Sequence, residues 1–148
     1  MYTGFNFLGG KKSMDRKELS MQLHQQGFNC AQCVVCSYCN ILGYDPVTAF
    51  RMAEAFGFGM GSAGTCGAVS GMAMVIGMKT SDGDLDHPGT KKECYNLMRL
   101  ATGEFLRQHG SIVCREIKGM DGNPPLCSCD DCIKDAIGIL NKLLLGIK

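Results

Sequence analysis

The sequence predicts an all-α protein, a compact bundle of about five to six helices. Three observations carry this: apolar residues recur at three- and four-residue spacing, cap and stop residues bracket those stretches, and no alternating strand pattern interrupts them. A chain of 148 residues fits one domain whose core is large enough to fold without covalent help. Residues 1–13 are Gly-rich and aperiodic and read as a flexible N-terminal arm, which leaves 14–148 as a single helical domain.

The elements follow in order. Asp15 caps a first helix with Glu18 three residues on, Leu19 and Leu23 share one face, and Gly27 stops it. Asn29 caps a second, from Cys30 to about Leu42, ended by Gly43. Asp45-Pro46 opens a third, with Pro46 in its first turn and Phe50, Ala53 and Phe56 at helical spacing. From Gly57 to Gly67 the glycines are too dense for regular structure, so the chain turns tightly. Thr65 or Ser62 then caps a helix from Cys66 to about Met78, whose Gly67, Ala68, Ser70, Gly71 and Ala73 make a surface that another helix or a cofactor can approach closely. The Asp/Gly loop Ser81 to Thr90 leads to a long helix, Lys91 to His109, carrying Leu97, Leu100, Ala101, Phe105 and Leu106 and stopped by Gly110. A short helix near Ile112 to Ile117, a loop from Gly119 to Pro125 and a last helix from about Asp130 to Leu145 complete the chain.

Composition narrows the function. Ten cysteines and ten methionines in a chain without tryptophan mark a selection for sulfur. The opening residues lack the charged-then-apolar order of a secretory signal. The longest apolar run, Gly71 to Met78, falls far short of the roughly 20 residues of a membrane span. The expected location is cytoplasmic, where thiols stay reduced and dense cysteine serves metal binding or redox chemistry rather than disulfide stapling. Basic and acidic residues, 15 and 14, are mixed along the chain, and only 7% of residues are aromatic. This excludes the basic stripe or stacking platform of a nucleic-acid binder.

Cys30, Cys33, Cys36 and Cys39 recur every third residue. On an intact helix each step of three turns back by about 60°, so one metal cannot gather all four. At most two adjacent members share a site, and the rest fill the core as small hydrophobes. Cys66 follows the glycine-rich turn at a helix N-terminus, where N–H groups and the helix dipole stabilise thiolate, and Gly64 and Gly67 leave room around its sulfur. Cys127, Cys129 and Cys132 cluster after Pro124-Pro125 at the mouth of the last helix, with both C-x-C and C-x-x-C spacings. Cys114 precedes Arg115, whose charge favours a neighbouring thiolate. Cys94 has no partner nearby in sequence and reads as a core residue.

Two motifs are decoys. Gly59-Met-Gly-Ser-Ala-Gly64 fits a dinucleotide glycine fingerprint but follows a helix, not a strand. Asp82, Asp84, Asp86 and Glu93 match calcium-loop positions, yet His87 replaces the turn glycine and Pro88 follows, so the reading is a solvated acidic loop. His24, His87 and His109 show no triad or zincin spacing and read as surface or helix-end residues. Met72, Met74 and Met78 read as core fillers.

Asn29-Cys30-Ala31-Gln32, Gly64-Thr-Cys66-Gly-Ala-Val-Ser-Gly71 with Met74-Val-Ile-Gly77, Cys114-Arg-Glu and the C-terminal cysteine cluster together resemble the C-GCAxxG-C-C family of redox-active proteins. The likeness runs from about Asp15 to Leu145. It implies four family cysteines: Cys30, Cys66, Cys114 and either Cys129 or Cys132, with Cys129 preferred because Ile133 and Ala136 then fall where the family has apolar residues. The family is also similar to part of the split-Soret cytochromes, which implies an iron or electron-transfer role. This chain lacks their Cys-x-x-Cys-His haem attachment motif.

The first functional expectation is electron transfer through an iron–sulfur cluster held by cysteines of that set, with Cys132 as the further candidate ligand and Gly64 and Gly67 beside the cofactor. It calls for a redox partner protein and no substrate. The second is an oxidoreductase for thiol–disulfide or sulfur chemistry with Cys66 as the attacking thiolate, needing no cofactor. The third is an interaction module stabilised by zinc. Small-residue helix faces are compatible with a homodimer.

Overall fold

The computed structural model describes residues 15–147; the N-terminal arm expected over 1–13 lies outside them. Among the described residues there are eight α-helices and no strand beyond one isolated bridge, so the fold is all-α. The helices are α1 (Arg16–Gln25), α2 (Cys30–Cys36), α3 (Cys39–Leu42), α4 (Pro46–Ala53), α5 (Gly67–Thr80), α6 (Lys91–His109), α7 (Cys114–Ile117) and α8 (Cys129–Leu145).

α5 is the centre. It is apolar on nearly every side, as a helix enclosed by others must be, and it packs on α2, α6 and α8. The small-residue surface read from the sequence explains the closest of these contacts. A Cβ on Gly71 would stand 2.8 Å from Val34 Cβ and 3.2 Å from the Ala31 carbonyl oxygen. Only a glycine lets the two backbones approach this far. α1 lies across α2 and α8, and α4 covers the other side of α2. Met72 is fully buried, and Met74 and Met78 pack half-buried against the core.

Local chemistry sets the boundaries. The Asn29 side chain accepts from Gln32 N–H at 2.9 Å while the Gln32 side chain accepts from Asn29 N–H at 3.0 Å, a reciprocal box that fixes the start of α2. Asn29 Nδ2 also donates to the Glu54 carbonyl at 2.8 Å, tying α2 to the turn that follows α4. Asn29→Ala is therefore expected to cost about 1–2 kcal/mol of stability, read as a lower midpoint in urea unfolding at unchanged slope.

The structure corrects several boundaries. The helix expected from Cys30 to Leu42 breaks at Ser37-Tyr38. Ser37 Oγ donates to the Cys33 carbonyl at 2.6 Å, and Tyr38 N–H turns to the Val35 carbonyl, tightening the last turn of α2. The buried Tyr38 then anchors the break to α8, its hydroxyl reaching Asn141 Oδ1 at 2.8 Å and the Ile137 carbonyl at 3.1 Å. Neither Thr65 nor Ser62 caps α5. Cys66 occupies the cap position itself, Thr65 pairs with Val113, and Ser62 Oγ donates back to the Gly59 carbonyl. Ser128 caps α8, whose Asp131 N–H it accepts, so Cys129 is the first helical residue. On α6 the inward stripe is Ala101 and Phe105 with Leu97 partly buried, while Leu100 and Leu106 stay exposed because only one side of this helix meets α5 and α8.

The segment from Ser81 to Pro88 is exposed, and its aspartates close local turns. Asp82 Oδ1 accepts from Asp84 N–H, and Asp84 Oδ1 accepts from the N–H groups of Asp86 and His87. This is the solvated acidic loop the sequence indicated.

Candidate functional site

The glycine-rich segment before α5 is irregular, as its composition requires, and it winds through left-handed backbone. Phe58, Met60 and Ala63 have φ of 51°, 58° and 58°, with Gly59 and Gly61 at 57° and 71°. Three non-glycine residues in this region are uncommon, and such strain is held only by surrounding structure. The holding contacts run to the strap before α7. Cys66 N–H donates to the Ile112 carbonyl at 2.7 Å, Cys114 N–H donates to the Gly64 carbonyl at 2.6 Å, and Thr65 pairs with Val113. Ser111 fixes the strap in turn, accepting from Val113 N–H and donating to the Glu116 carboxylate. Two cysteines 48 positions apart in the chain are thereby set side by side at the starts of two helices.

Cys30 arrives from the first turn of α2. Its sulfur lies where a Cβ on Gly67 would sit 2.9 Å away, with the Phe56 carbonyl oxygen 3.1 Å from the same point. Any larger residue at position 67 would drive Cys30 out. Cys129 arrives from the first turn of α8. The charges of Cys66 and Cys129 both raise Cys30 and Cys114, and the four residues stand at the starts of α2, α5, α7 and α8. Cys132, one turn further along α8, is buried, and its thiol hydrogen lowers Cys66. The Cys127 sulfur lies within 4.8 Å of the Cys132 sulfur. Of the residues singled out from the sequence, Cys66 and Cys114 are joined through Gly64 and Ile112, and Cys30 packs against Gly67.

Cys33, Cys36 and Cys39 stand apart, within the main core at 1% exposure or less. Cys36 hydrogen-bonds to Cys39 there, which raises the first thiol and lowers the second. Only Cys30 of the three-residue repeat reaches the site. Cys94 is half-buried against the core on α6. All ten cysteines are free thiols.

Electrostatics single out Cys66. It is held below the ordinary thiol value of 9.0, down to about 7, first by the Cys132 thiol hydrogen, then against burial by the N–H groups of Ala68 and Val69, and by the positive charge of Lys118. Cys30 and Cys114 are raised, each chiefly by burial; Phe58 N–H opposes this at Cys30 and Lys118 opposes it at Cys114. The cation expected from sequence, Arg115, is exposed and paired with Asp121 at 2.9 Å. Lys118 takes its place, one turn after Cys114, with Nζ 5.7 Å from the centre of the Phe58 ring. The four-residue spacing from Cys114 was the available sign of it.

Cys132→Ala removes the largest of the effects on Cys66. In the native protein the Cys66 thiolate is expected to be lost as pH falls through about 7. In the variant it should be lost at higher pH, nearer the ordinary 9.0, as read by thiolate ultraviolet absorbance and alkylation rate against pH. The same shift is linked to stability. A folded value below the unfolded one gives a contribution that is complete above the unfolded value and lost as pH falls through the folded one.

The family model described as "Putative redox-active protein (C_GCAxxG_C_C)" matches residues 28–143, most of the chain. The chain belongs to the C_GCAxxG_C_C family. The match takes in all four elements that carry the clustered thiols and leaves out α1, where the sequence likeness had been read from about Asp15. No curated protein and no solved structure matches the chain. Among the described residues no helix is long and apolar enough to cross a membrane.

Proposed function

We propose that this C_GCAxxG_C_C protein is an electron carrier whose Cys30, Cys66, Cys114 and Cys129 hold one iron–sulfur cluster. What supports the reading is the strap that sets Cys114 beside Cys66, the packing of Cys30 against Gly67 next to Cys66, and the shared influence of the Cys66 and Cys129 charges on Cys30 and Cys114. The donor set fits the group. Four sulfurs suit soft iron, Gly67 leaves space that a Cβ would take from the Cys30 sulfur, and the N–H groups of Phe58, Ala68 and Val69 favour thiolate at Cys30 and Cys66. Such a cluster supplies one-electron transfer at a potential set by its surroundings. The chain's own part is to hold the thiolates, to aim N–H donors and the Lys118 charge at them, and to exclude water with the buried residues of α2, α5 and α8. A donor or acceptor protein in a reducing, cytoplasmic setting is the partner this reading needs.

One feature favours a second reading: the buried Cys132 thiol lowers the Cys66 thiol toward neutral pH. Here the Cys66 thiolate attacks a substrate disulfide, forming a mixed disulfide and expelling one substrate thiolate. Cys132 loses its proton and attacks Cys66, closing a Cys66–Cys132 disulfide and releasing the second substrate thiolate. Two electrons pass to the substrate, and an external dithiol restores the pair. The test is anaerobic purification followed by iron and acid-labile sulfide analysis and an absorption spectrum before and after dithionite. Iron with sulfide and a bleachable visible band supports the carrier. A metal-free protein that resists anaerobic reconstitution and contains a reducible disulfide overturns it in favour of thiol exchange.

A further inference from the structure

We propose that His109, Cys127 and Cys132 form a separate metal site for a single zinc-class divalent cation, beside the four-cysteine group and independent of whether that group holds a cluster. A ring nitrogen of His109 and the two sulfurs lie within 4.8 Å of one another, the spacing of ligands around one ion. They come from three places in the chain: the last residue of α6, the loop before α8 and a position one turn into α8.

His109 supplies the second observation. Its side chain is 6% exposed, yet its Nε2 has no hydrogen-bond partner. The Asp135 carboxylate oxygen stands 3.1 Å from that nitrogen but outside hydrogen-bonding alignment. An imidazole buried this deeply without a partner is costly, and packing alone does not account for it, although the ring stacks at a tilt on Phe105 with centres 4.5 Å apart. A cation bound by that nitrogen, between the imidazole and the two thiols, removes that cost. Binding takes one proton from each thiol and leaves two thiolates beside a dipositive ion, with Asp135 as the neighbouring carboxylate. Imidazole with two thiolates is a borderline-soft donor set, which selects zinc over magnesium or calcium.

The site also touches the chemistry next to it. Cys132 is the thiol whose hydrogen lowers Cys66, so a cation that claims Cys132 takes away that hydrogen.

The test uses the full chain carrying Cys30→Ser and Cys114→Ser, which disables the four-cysteine group and leaves this site intact. Cobalt(II) titrated anaerobically into the reduced protein should bind at one equivalent, with a sulfur-to-metal charge-transfer band and the visible bands of tetrahedral cobalt. Adding His109→Gln or Cys127→Ser should weaken binding at least about 100-fold. X-ray absorption at zinc in the same background should find two sulfur ligands and at least one nitrogen, a result that does not depend on the folding of the added variants. No cobalt uptake, uptake unchanged by either added substitution, or an all-sulfur zinc would overturn the proposal. Iron and sulfide in the native chain report separately on the cluster, so the two readings fail independently.

Discussion

Cys66→Ser is expected to lower the bound iron and sulfide, or the rate of disulfide reduction, at least about tenfold, while the protein stays folded. The two effects separate because of where this residue sits. Cys66 occupies the cap position of α5, is 6% exposed and makes no side-chain cap hydrogen bond, although the N–H groups of Ala68 and Val69 help to lower its thiol. A serine hydroxyl is a preferred cap for such N–H groups, so the stability change should stay within about 1–2 kcal/mol. What serine cannot supply is a thiolate near neutral pH, the species that both binds iron and attacks disulfides. Thermal melting beside an anaerobic redox titration checks both halves. A titration unchanged by this substitution would count against both functional readings at once.

Gly59→Ala is expected to be strongly damaging, at roughly 2–5 kcal/mol from strain and overpacking together. Gly59 has φ 57°, and an added Cβ would run into the Gly64 amide nitrogen, lie 2.8 Å from the Gly64 carbonyl oxygen and 2.9 Å from Cys114 Cβ. Two of those neighbours are backbone and cannot swing aside. Displacing Gly64 also pulls away the carbonyl that receives Cys114 N–H, so the variant should lose the site along with its stability. Gly61→Ala is the control: its φ is 71°, but nothing lies within 4 Å of the added carbon, so it pays the left-handed penalty alone, about 1–2 kcal/mol. Equal urea midpoints for the two variants would mean that the contact with Gly64 has no role.

Most of the helices were legible because their ends are marked by residues whose effects are local. Asp15, Asn29 and Asp45 cap α1, α2 and α4, and Gly43 and Gly110 take the left-handed turn after α3 and α6. Boundaries set by distant partners were not legible. The break at Ser37-Tyr38 combines a local bond from Ser37 to the Cys33 carbonyl with a hydroxyl reaching Asn141 about a hundred residues away, and the second has no local sign. The cap of α5 was misplaced for a related reason, since Thr65 was drawn off to pair with Val113.

For the site, the residue types and the glycine-rich approach to Cys66 could be read directly, because a thiol at a helix start after a run of glycines is a local arrangement. Periodicity also indicated that the repeat from Cys30 to Cys39 would divide between site and core, although the helix assumed there is broken. By contrast, the replacement of Arg115 by Lys118, the effect of Cys132 on Cys66 and the burial of His109 between Phe105 and two cysteines belong to the packing of α6, α7 and α8. The sequence by itself determined the all-α class, the helix starts that carry Cys30 and Cys66, and the membership of a cysteine-rich redox family, since each rests on neighbours within a few residues. Only the tertiary structure decided which thiols meet, which cation faces them and which histidine lies against them. Those are distances between separate helices, fixed by how closely Gly67 and Gly71 let α5 approach α2 and by the strap that holds Cys114 against the glycine turn.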